Sequence, residues 1–198
     1  MVPWRSIHLL LDEEDEDCAL FRDMFRVAMS GTSYEERVVS SEEEKEALPF
    51  GTLPALQLDG SIASRPIAIL RYACSLNDRC ASRTKTPESL DMEQWIDLHA
   101  DFVSPILLNA NQQQYGPGVT VDKTAHTDWL VEEHIPHHLR LLERELQTCK
   151  YLAGGGNGRD DAQGFADILW SHTLKKVVRT FNVEVVNTYP RVCEWCRL

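Results

Sequence analysis

Apolar positions in the first third of the chain follow two different periods, and together they predict a small α/β unit. Short apolar runs bounded by polar residues are typical of strands, whereas Phe21, Phe25 and Ala28 recur at helical spacing. The pair Asp59-Gly60 is a strong signal for a two-residue hairpin turn. The predicted elements are a strand at 7–11, a helix at 18–29, a strand at 34–39, a hairpin of strands 53–58 and 61–63, and a helix at 66–76.

After a polar segment without periodicity, the pattern becomes helical. Residues 77–88 carry mostly polar side chains, and we interpret them as a linker between domains. Helical segments follow near 89–113, 125–148, 165–181 and 188–198. The sequence therefore predicts two domains, an α/β domain over residues 1–78 and an all-helical domain over residues 89–198.

The chain is strongly acidic, with a formal net charge of −11 over 198 residues. This charge disfavours nucleic-acid phosphates and anionic lipid surfaces as partners. The acids are concentrated in an unbroken run at 12–17 and in a cluster at 42–46, and both are expected on solvated surface. No apolar run reaches the roughly 18–20 residues that a bilayer span requires, and residues 1–5 lack the features of a signal peptide. We therefore expect a cytoplasmic protein with no nucleic-acid and no membrane partner.

The block from Leu48 to Gly60, L-P-F-G-T-L-P-A-L-Q-L-D-G, resembles the third strand and following turn of glutathione transferases. The likeness is greatest to the sigma class, which includes the glutathione-dependent prostaglandin D synthases. In that family the proline at the position of Pro54 follows a cis peptide bond. The residue before it, here Leu53, pairs through its backbone with the cysteinyl backbone of glutathione. The resemblance therefore implies glutathione as the ligand, with Leu53 and Pro54 in its site.

The second half of the chain carries the same resemblance. Residues 139–146, Tyr151–Gly154 and Gly164–Ile168 resemble the family's helix, glycine turn and buried capping-box helix. Asp167 falls where an acidic side chain reaches back to the N-cap backbone. The implied fold is an N-terminal thioredoxin-like domain followed by a helical glutathione-transferase C-terminal domain, and the implied assembly is a homodimer.

The hydroxyl that activates the thiol in this family is missing from its expected place. The family's Tyr or Ser follows the first strand and lowers the pKa of the glutathione thiol, yet no hydroxyl residue lies between Ile7 and Ser30. The acidic run 12–17 occupies that loop, and negative charge raises the pKa of a nearby thiol. Cys18, near the start of a predicted helix, is the one candidate nucleophile. The alternative, that it is a structural helix cysteine, stays open.

Three further positions bear on how the charged ends of glutathione would be held. The family places Gln-Ser or Glu-Ser before the helix at 66–76, so that a carboxylate binds at the helix N-terminus, but Arg65-Pro66 stands there in this chain. Arg65 can bind a carboxylate with two hydrogen bonds, and Ser64 supplies a hydroxyl if the alignment shifts by one residue. Lys45 matches a family lysine that contacts the glycyl carboxylate. The predicted cofactor-binding residues are Lys45, Leu53, Pro54, Ser64 and Arg65.

Histidines and cysteines do not predict a metal site. His134 and His138 are four residues apart, a spacing that suits zinc on a helix, but Pro136 between them favours the first turn of a helix. Cys193 and Cys196 form a single C-x-x-C pair near the end of the chain, without a second pair and without a preceding strand. No metal cofactor is therefore predicted.

Two main functions are consistent with these features, and both stay open. The first is a divergent glutathione (thiol) transferase with an impaired or altered glutathione site, whose acidic loop would suit a thiol ligand that carries amines. The second is a non-catalytic protein-interaction module, as in the gamma subunit of translation elongation factor 1 or in aminoacyl-tRNA synthetase complexes; residues 94–98 resemble the equivalent helix there. A dimeric carrier of apolar compounds is a third interpretation, with no specific residues in its favour.

Overall fold

The structure is a computed structural model that describes residues 6–76, 87–110, 123–152, 163–184 and 188–196. The chain divides into two units, Met1–Arg83 and Thr84–Leu198. Most of the predicted linker, residues 77–86, lies outside the described residues. The last two positions of that predicted linker, 87 and 88, already belong to a helix.

The first unit is built around a four-stranded mixed sheet. Its elements are β1 (Ile7–Leu11), α1 (Glu16–Ala28), β2 (Glu35–Val38), α2 (Glu42–Glu46), β3 (Ala55–Leu58), β4 (Ser61–Ala63) and α3 (Pro66–Leu76). The strand order is β2-β1-β3-β4; β1 runs parallel to β2 and antiparallel to β3, and β3 is antiparallel to β4. All strands and helices predicted for this unit are confirmed, with ends that differ by a few residues at most.

The two faces of the sheet bury different leucines, because successive side chains along a strand point to opposite faces. On one face Leu10 and Ala55 pack in a small cluster that includes Leu53 at its margin. On the other face Leu9 and Leu56 are almost fully buried. Helices α1 and α3 contact β1, β3 and each other there.

The hairpin turn between β3 and β4 has the predicted geometry. Asp59 and Gly60 both have positive φ, 48° and 104°, as a type I′ turn requires. The Asp59 carboxylate also accepts a hydrogen bond from the Ser6 N–H at 2.8 Å, which ties the turn to the start of β1. This turn fixes the register of the strands that lead to α3.

Helix α2 is an element that the sequence pattern does not predict. The Ser41 Oγ caps it by accepting from the Glu44 N–H at 3.2 Å, and the acids of its first turn lie at the positive end of the helix dipole. The helix has no buried side chain. It therefore leaves no apolar period in the sequence, and residues 42–46 look only like charged surface.

The described elements of the second unit are helical. They are α4 (Pro87–Ala110), α5 (Lys123–Trp129), a π-helical turn (Leu130–His134), α6 (Ile135–Glu145), α7 (Phe165–Phe181) and α8 (Pro190–Cys196). The buried rings of Phe102 and Trp170 stack at its centre, with ring centroids 5.1 Å apart. None of the helices in the described part of the chain is long and apolar enough to cross a membrane.

Pro136 lies in the first turn of α6, as predicted, but the helix does not start afresh there. The chain is already helical from α5 through the π-helical turn, and the Ile135 N–H donates to the Leu130 carbonyl five residues back. Because Pro136 has no N–H, the ordinary helical bond at its position is lost. A π-helical turn is one way for a helix to accommodate such a site.

The half of the capping box that the Asp167 side chain makes at the start of α7 is present, whereas Gly164 has no side chain to make the other half. The Gly164 N–H donates to Asp167 Oδ2 at 2.9 Å. The other carboxylate oxygen, Oδ1, accepts from the Leu152 N–H at 2.9 Å and from Trp195 Nε1–H at 3.0 Å. Asp167 is fully buried, and burial raises the pKa of its carboxyl to about 6 despite these three donors. One side chain thus joins α7, α8 and the segment after α6.

Candidate functional site

The predicted ligand-binding residues lie in two groups of the first unit. Lys45 is on α2, whereas the other four border the β3–β4 hairpin and the start of α3. In the second group a buried hydroxyl lacks a hydrogen-bond partner among the described residues, whereas Lys45 is ion-paired.

Leu53 and Pro54 lead into β3, and the peptide bond between them is cis, as the resemblance implied. The Leu53 side chain packs against the cluster that contains Leu10 and Ala55. The first paired residue of β3 is Ala55, opposite Leu10, so the sheet ladder does not include the peptide groups of Leu53. Its side chain is anchored while its backbone lies outside the ladder, which suits backbone pairing with an extended ligand.

Ser64 is a buried polar residue two positions before α3, only 1% exposed. Its Oγ has no hydrogen-bond partner within the described part of the chain. Its backbone is held in place, because the Thr52 Oγ1 donates to the Ser64 carbonyl oxygen at 3.2 Å. A buried hydroxyl without a partner is unfavourable by about 1–3 kcal/mol, and a bound ligand that supplies a partner removes that penalty.

The N-terminus of α3 is not capped by the residue at its N-cap position. The Arg65 carbonyl accepts the first helical bond, from the Ile69 N–H at 2.9 Å. Arginine has no side-chain oxygen that could accept from the next amides, and Pro66 has no N–H at all. The N–H groups of Ile67 and Ala68 and the positive end of the helix dipole therefore suit an anionic group.

The Arg65 side chain is exposed and lies over an aromatic ring. Its guanidinium carbon is 5.9 Å from the centroid of the Phe50 ring. Phe50 is 76% exposed and has a φ of 64°, a conformation that is uncommon for a residue other than glycine. The ring thus stands out from the loop and supports the guanidinium beside the start of α3.

Lys45 and its neighbours form an internal ion-pair group. The Lys45 Nζ lies 2.9 Å from Asp12 Oδ2 and 3.1 Å from Glu42 Oε1. The Asp12 Oδ1 accepts from the Glu14 N–H at 3.0 Å. The hydrogen bond from Lys45, and secondly that from Glu14, holds the pKa of Asp12 below its usual value. The same carboxylates raise the pKa of Lys45, so both charges persist at neutral pH.

The loop after β1, where a thiol-activating hydroxyl is expected, contains four consecutive acids, Asp12 to Asp15. Cys18, in the first turn of α1, is 1% exposed. Burial raises the pKa of its thiol above the usual value, and the carboxylates of Asp15 and Asp12 add to the rise. This direction is opposite to that of an activated thiol.

Sequence reasoning missed three participants of this region: Asp12, Phe50 and Thr52. Asp12 cannot be told apart from its five acidic neighbours until α2 brings Lys45 to it. Phe50 lies in the block that carries the resemblance, but its contact with Arg65 spans a hairpin. A β-hairpin prediction that placed residues 50–52 beside 64–65 was the available signal for the last two.

His134, His138 and Cys196 of the second unit are buried. His134 Nε2 is 2.9 Å from the Phe102 carbonyl oxygen, and His138 Nδ1 is 2.9 Å from the His134 carbonyl oxygen. The residues that the structure describes contain no group of three or more His, Cys, Asp or Glu that could hold a metal ion. Burial raises the pKa of the Cys196 thiol to about 12, which disfavours thiolate chemistry at the C-x-x-C pair.

No protein-family model matches the chain. In sequence it is similar to glutathione S-transferase 1 of Zea mays, 28% identical over 152 residues, which cover 74% of this chain and 67% of that protein. The probable glutathione S-transferase GSTF2 of Oryza sativa subsp. japonica is also 28% identical, over 154 residues with the same two coverages.

Solved structures have the same fold. Prostaglandin synthase D of Nilaparvata lugens matches with a TM-score of 0.74 at 18% identity, over 97% of this chain and 90% of that one. Rat hPGDS complexed with a quinoline matches with a TM-score of 0.72 at 21% identity, over 97% and 89%. These matches confirm the thioredoxin-like first domain and the helical second domain. By sequence and fold, the chain is a glutathione S-transferase-like protein.

Proposed function

We propose that this chain binds glutathione or a related thiol peptide in its first unit, and that it is a divergent thiol transferase with weak thiol activation. The observation that carries the proposal is the buried Ser64 hydroxyl, which has no partner among the described residues and lies near the start of α3. A buried hydroxyl without a partner destabilises the ligand-free protein. A ligand carboxylate would accept its hydrogen bond.

Three contacts would orient such a ligand. Its γ-glutamyl carboxylate would lie at the α3 N-terminus, between the Ser64 hydroxyl and the Arg65 guanidinium. Its cysteinyl backbone would pair with the peptide groups of Leu53, which the sheet leaves out. Lys45 would lie towards the glycyl end. Each of these residues positions the ligand, and none of them transfers a proton to or from the thiol.

The thiol of the bound ligand would lie close to negative charge, which disfavours its thiolate form. Asp12 to Asp15 follow β1, and their negative charge raises the pKa of a thiol nearby. Cys18 is buried with a raised thiol pKa, so we assign it no catalytic role. We therefore expect ligand binding to be retained while conjugation is much slower than in enzymes with a hydroxyl at this position.

Titration calorimetry with glutathione tests the binding step. Arg65→Ala should weaken glutathione about tenfold, because a bidentate contact with the carboxylate is lost. The matched control is Arg71→Ala, which removes the same charge from an exposed position on the same helix and should leave the affinity within about twofold. No heat at millimolar glutathione, or equal losses in both variants, would contradict the proposal.

A second candidate function is a non-catalytic protein-interaction module. The specific observation in its favour is the acidic loop in place of a hydroxyl, because such a module needs no activated thiol. Size-exclusion chromatography with light scattering, and capture of binding proteins by the purified chain, would separate the two functions when calorimetry detects no glutathione. The homodimer and the cytoplasmic location stay predictions.

A further inference from the structure

Lys45 is already bound by carboxylates of its own chain. Its Nζ contacts Asp12 Oδ2 at 2.9 Å and Glu42 Oε1 at 3.1 Å. About a quarter of the Asp12 side chain and of the Lys45 side chain is exposed, compared with 82% of the Glu42 side chain. The Asp12–Lys45 contact is thus the sheltered one of the two, and salt and solvent screen it less than the contact with Glu42.

Both partners of this contact are held by the backbone around them. Asp12 follows β1 directly, and its second oxygen is fixed by the Glu14 N–H at 3.0 Å. The preceding residue, Leu11, accepts from the Val39 N–H at 2.8 Å. Lys45 belongs to the capped helix α2, where its own N–H donates to the Ser41 carbonyl at 3.1 Å. The backbone positions of both partners are therefore fixed.

A ligand carboxylate that approached Lys45 would meet a negative surrounding. One ammonium group is balanced by two carboxylates within hydrogen-bond distance, and Glu43, Glu44 and Glu46 lie on the same short helix. Of these, Glu44 is paired with Arg37. An incoming carboxylate must either displace Asp12 from Lys45 or lie beside it, and both alternatives are unfavourable.

We propose that Asp12 is a specificity-determining residue. By pairing with Lys45, it makes the site prefer thiol peptides that have no free carboxylate at the end distant from the γ-glutamyl group. This inference rests on the proposed function, because it concerns the selectivity of the same site. An esterified or amidated end carries no charge for Asp12 to repel, and it does not need the Lys45 ammonium. Free glutathione carries that charge, so Asp12 repels it while the Lys45 ammonium is already paired.

The test is calorimetry with glutathione and with glutathione monoethyl ester, in which the glycyl carboxylate is blocked. In the unaltered chain the ester should bind about fivefold more tightly than glutathione. In Asp12→Asn the repelling charge is gone, and of its two carboxylate partners Lys45 keeps only that of the exposed Glu42. Glutathione should then gain about fivefold and match or exceed the ester.

Two further variants separate this effect from general charge. Glu14→Gln removes one negative charge from the same loop without touching the lysine and should leave the preference for the ester unchanged. In the double variant Asp12→Asn with Lys45→Met, the gain for glutathione should disappear, because the Lys45 ammonium is absent. Circular dichroism melts of each variant check that the fold is retained.

The outcomes distinguish this inference from the proposed function. If both ligands bind but Asp12→Asn leaves their ratio unchanged, or if Glu14→Gln shifts it equally, the role of Asp12 is wrong while thiol-peptide binding stands. If neither ligand binds to any variant, the proposed function fails and the inference fails with it.

Discussion

Among the residues that the structure describes, the buried polar side chains of the helical unit have hydrogen-bond partners, whereas the buried hydroxyl of Ser64 in the α/β unit has none. His99 Nε2 lies 2.9 Å from the Thr173 Oγ1, and the Asp167 carboxylate accepts three hydrogen bonds. The Ser64 Oγ has no partner among the described residues. Satisfied buried groups stabilise a fold by themselves, but an unsatisfied one disfavours it unless a ligand completes it. The contrast separates a structural polar network from the place where we propose that a ligand binds.

The largest expected effect is the loss of the Asp167 carboxylate. Asp167→Ala leaves the N–H groups of Leu152 and Gly164 and the Trp195 indole N–H without an acceptor in a buried place. We expect the free energy of unfolding to fall by about 4 kcal/mol, measured by urea unfolding. Asp128→Ala, at an exposed position on α5, should change it by less than about 0.5 kcal/mol. A small effect at Asp167 would mean that the helical network is not structural.

The next effect is a pH dependence from His99. Burial lowers the pKa of its imidazole from 6.5 to about 4. Between these two pH values His99 is therefore protonated in the unfolded chain and neutral in the folded chain. The stabilising contribution is therefore complete above pH 6.5 and is lost as the pH falls towards 4. It amounts to about 3 kcal/mol. Asp167, with a pKa raised from 3.8 to about 6, has the opposite slope between those values.

Because these two slopes oppose each other, the measurement is a difference between variants. The unfolding free energies of the unaltered chain and of His99→Gln should be compared from pH 7 to pH 4. The loss on acidification should be about 3 kcal/mol smaller in the variant. Parallel curves for His99→Gln and the unaltered chain would contradict the assignment.

The smallest effect on stability is expected at Ser64. Ser64→Ala removes a buried hydroxyl that has no partner, so the free energy of unfolding should stay constant or rise by up to about 1 kcal/mol. Thr173→Val removes a hydroxyl that is bonded to His99 and should lower it by about 1–2 kcal/mol. Thermal unfolding of both variants makes the comparison. A clear loss of stability in Ser64→Ala would show that its hydroxyl serves the fold.

The sequence by itself determined the elements whose side chains repeat along the chain. The period of Phe21, Phe25 and Ala28 predicted α1, and all three are buried. Asp59-Gly60 predicted the hairpin turn, because few other residue pairs adopt its two positive φ values. The block around Pro54 carried the resemblance to the superfamily, and with it the fold of both units. These features are local, so the order of residues is enough to specify them.

The tertiary structure alone decided which polar groups meet. Asp12 and Lys45 are 33 positions apart, and nothing in either neighbourhood marks them as a pair until α2 is placed beside β1. Burial of Cys18, which decides the direction of its thiol pKa, depends on how α1 packs. That the Ser64 hydroxyl is buried without a partner is likewise evident only from the folded hairpin. Charge, burial and hydrogen bonding depend on distances in space, and a sequence specifies those distances only through the fold.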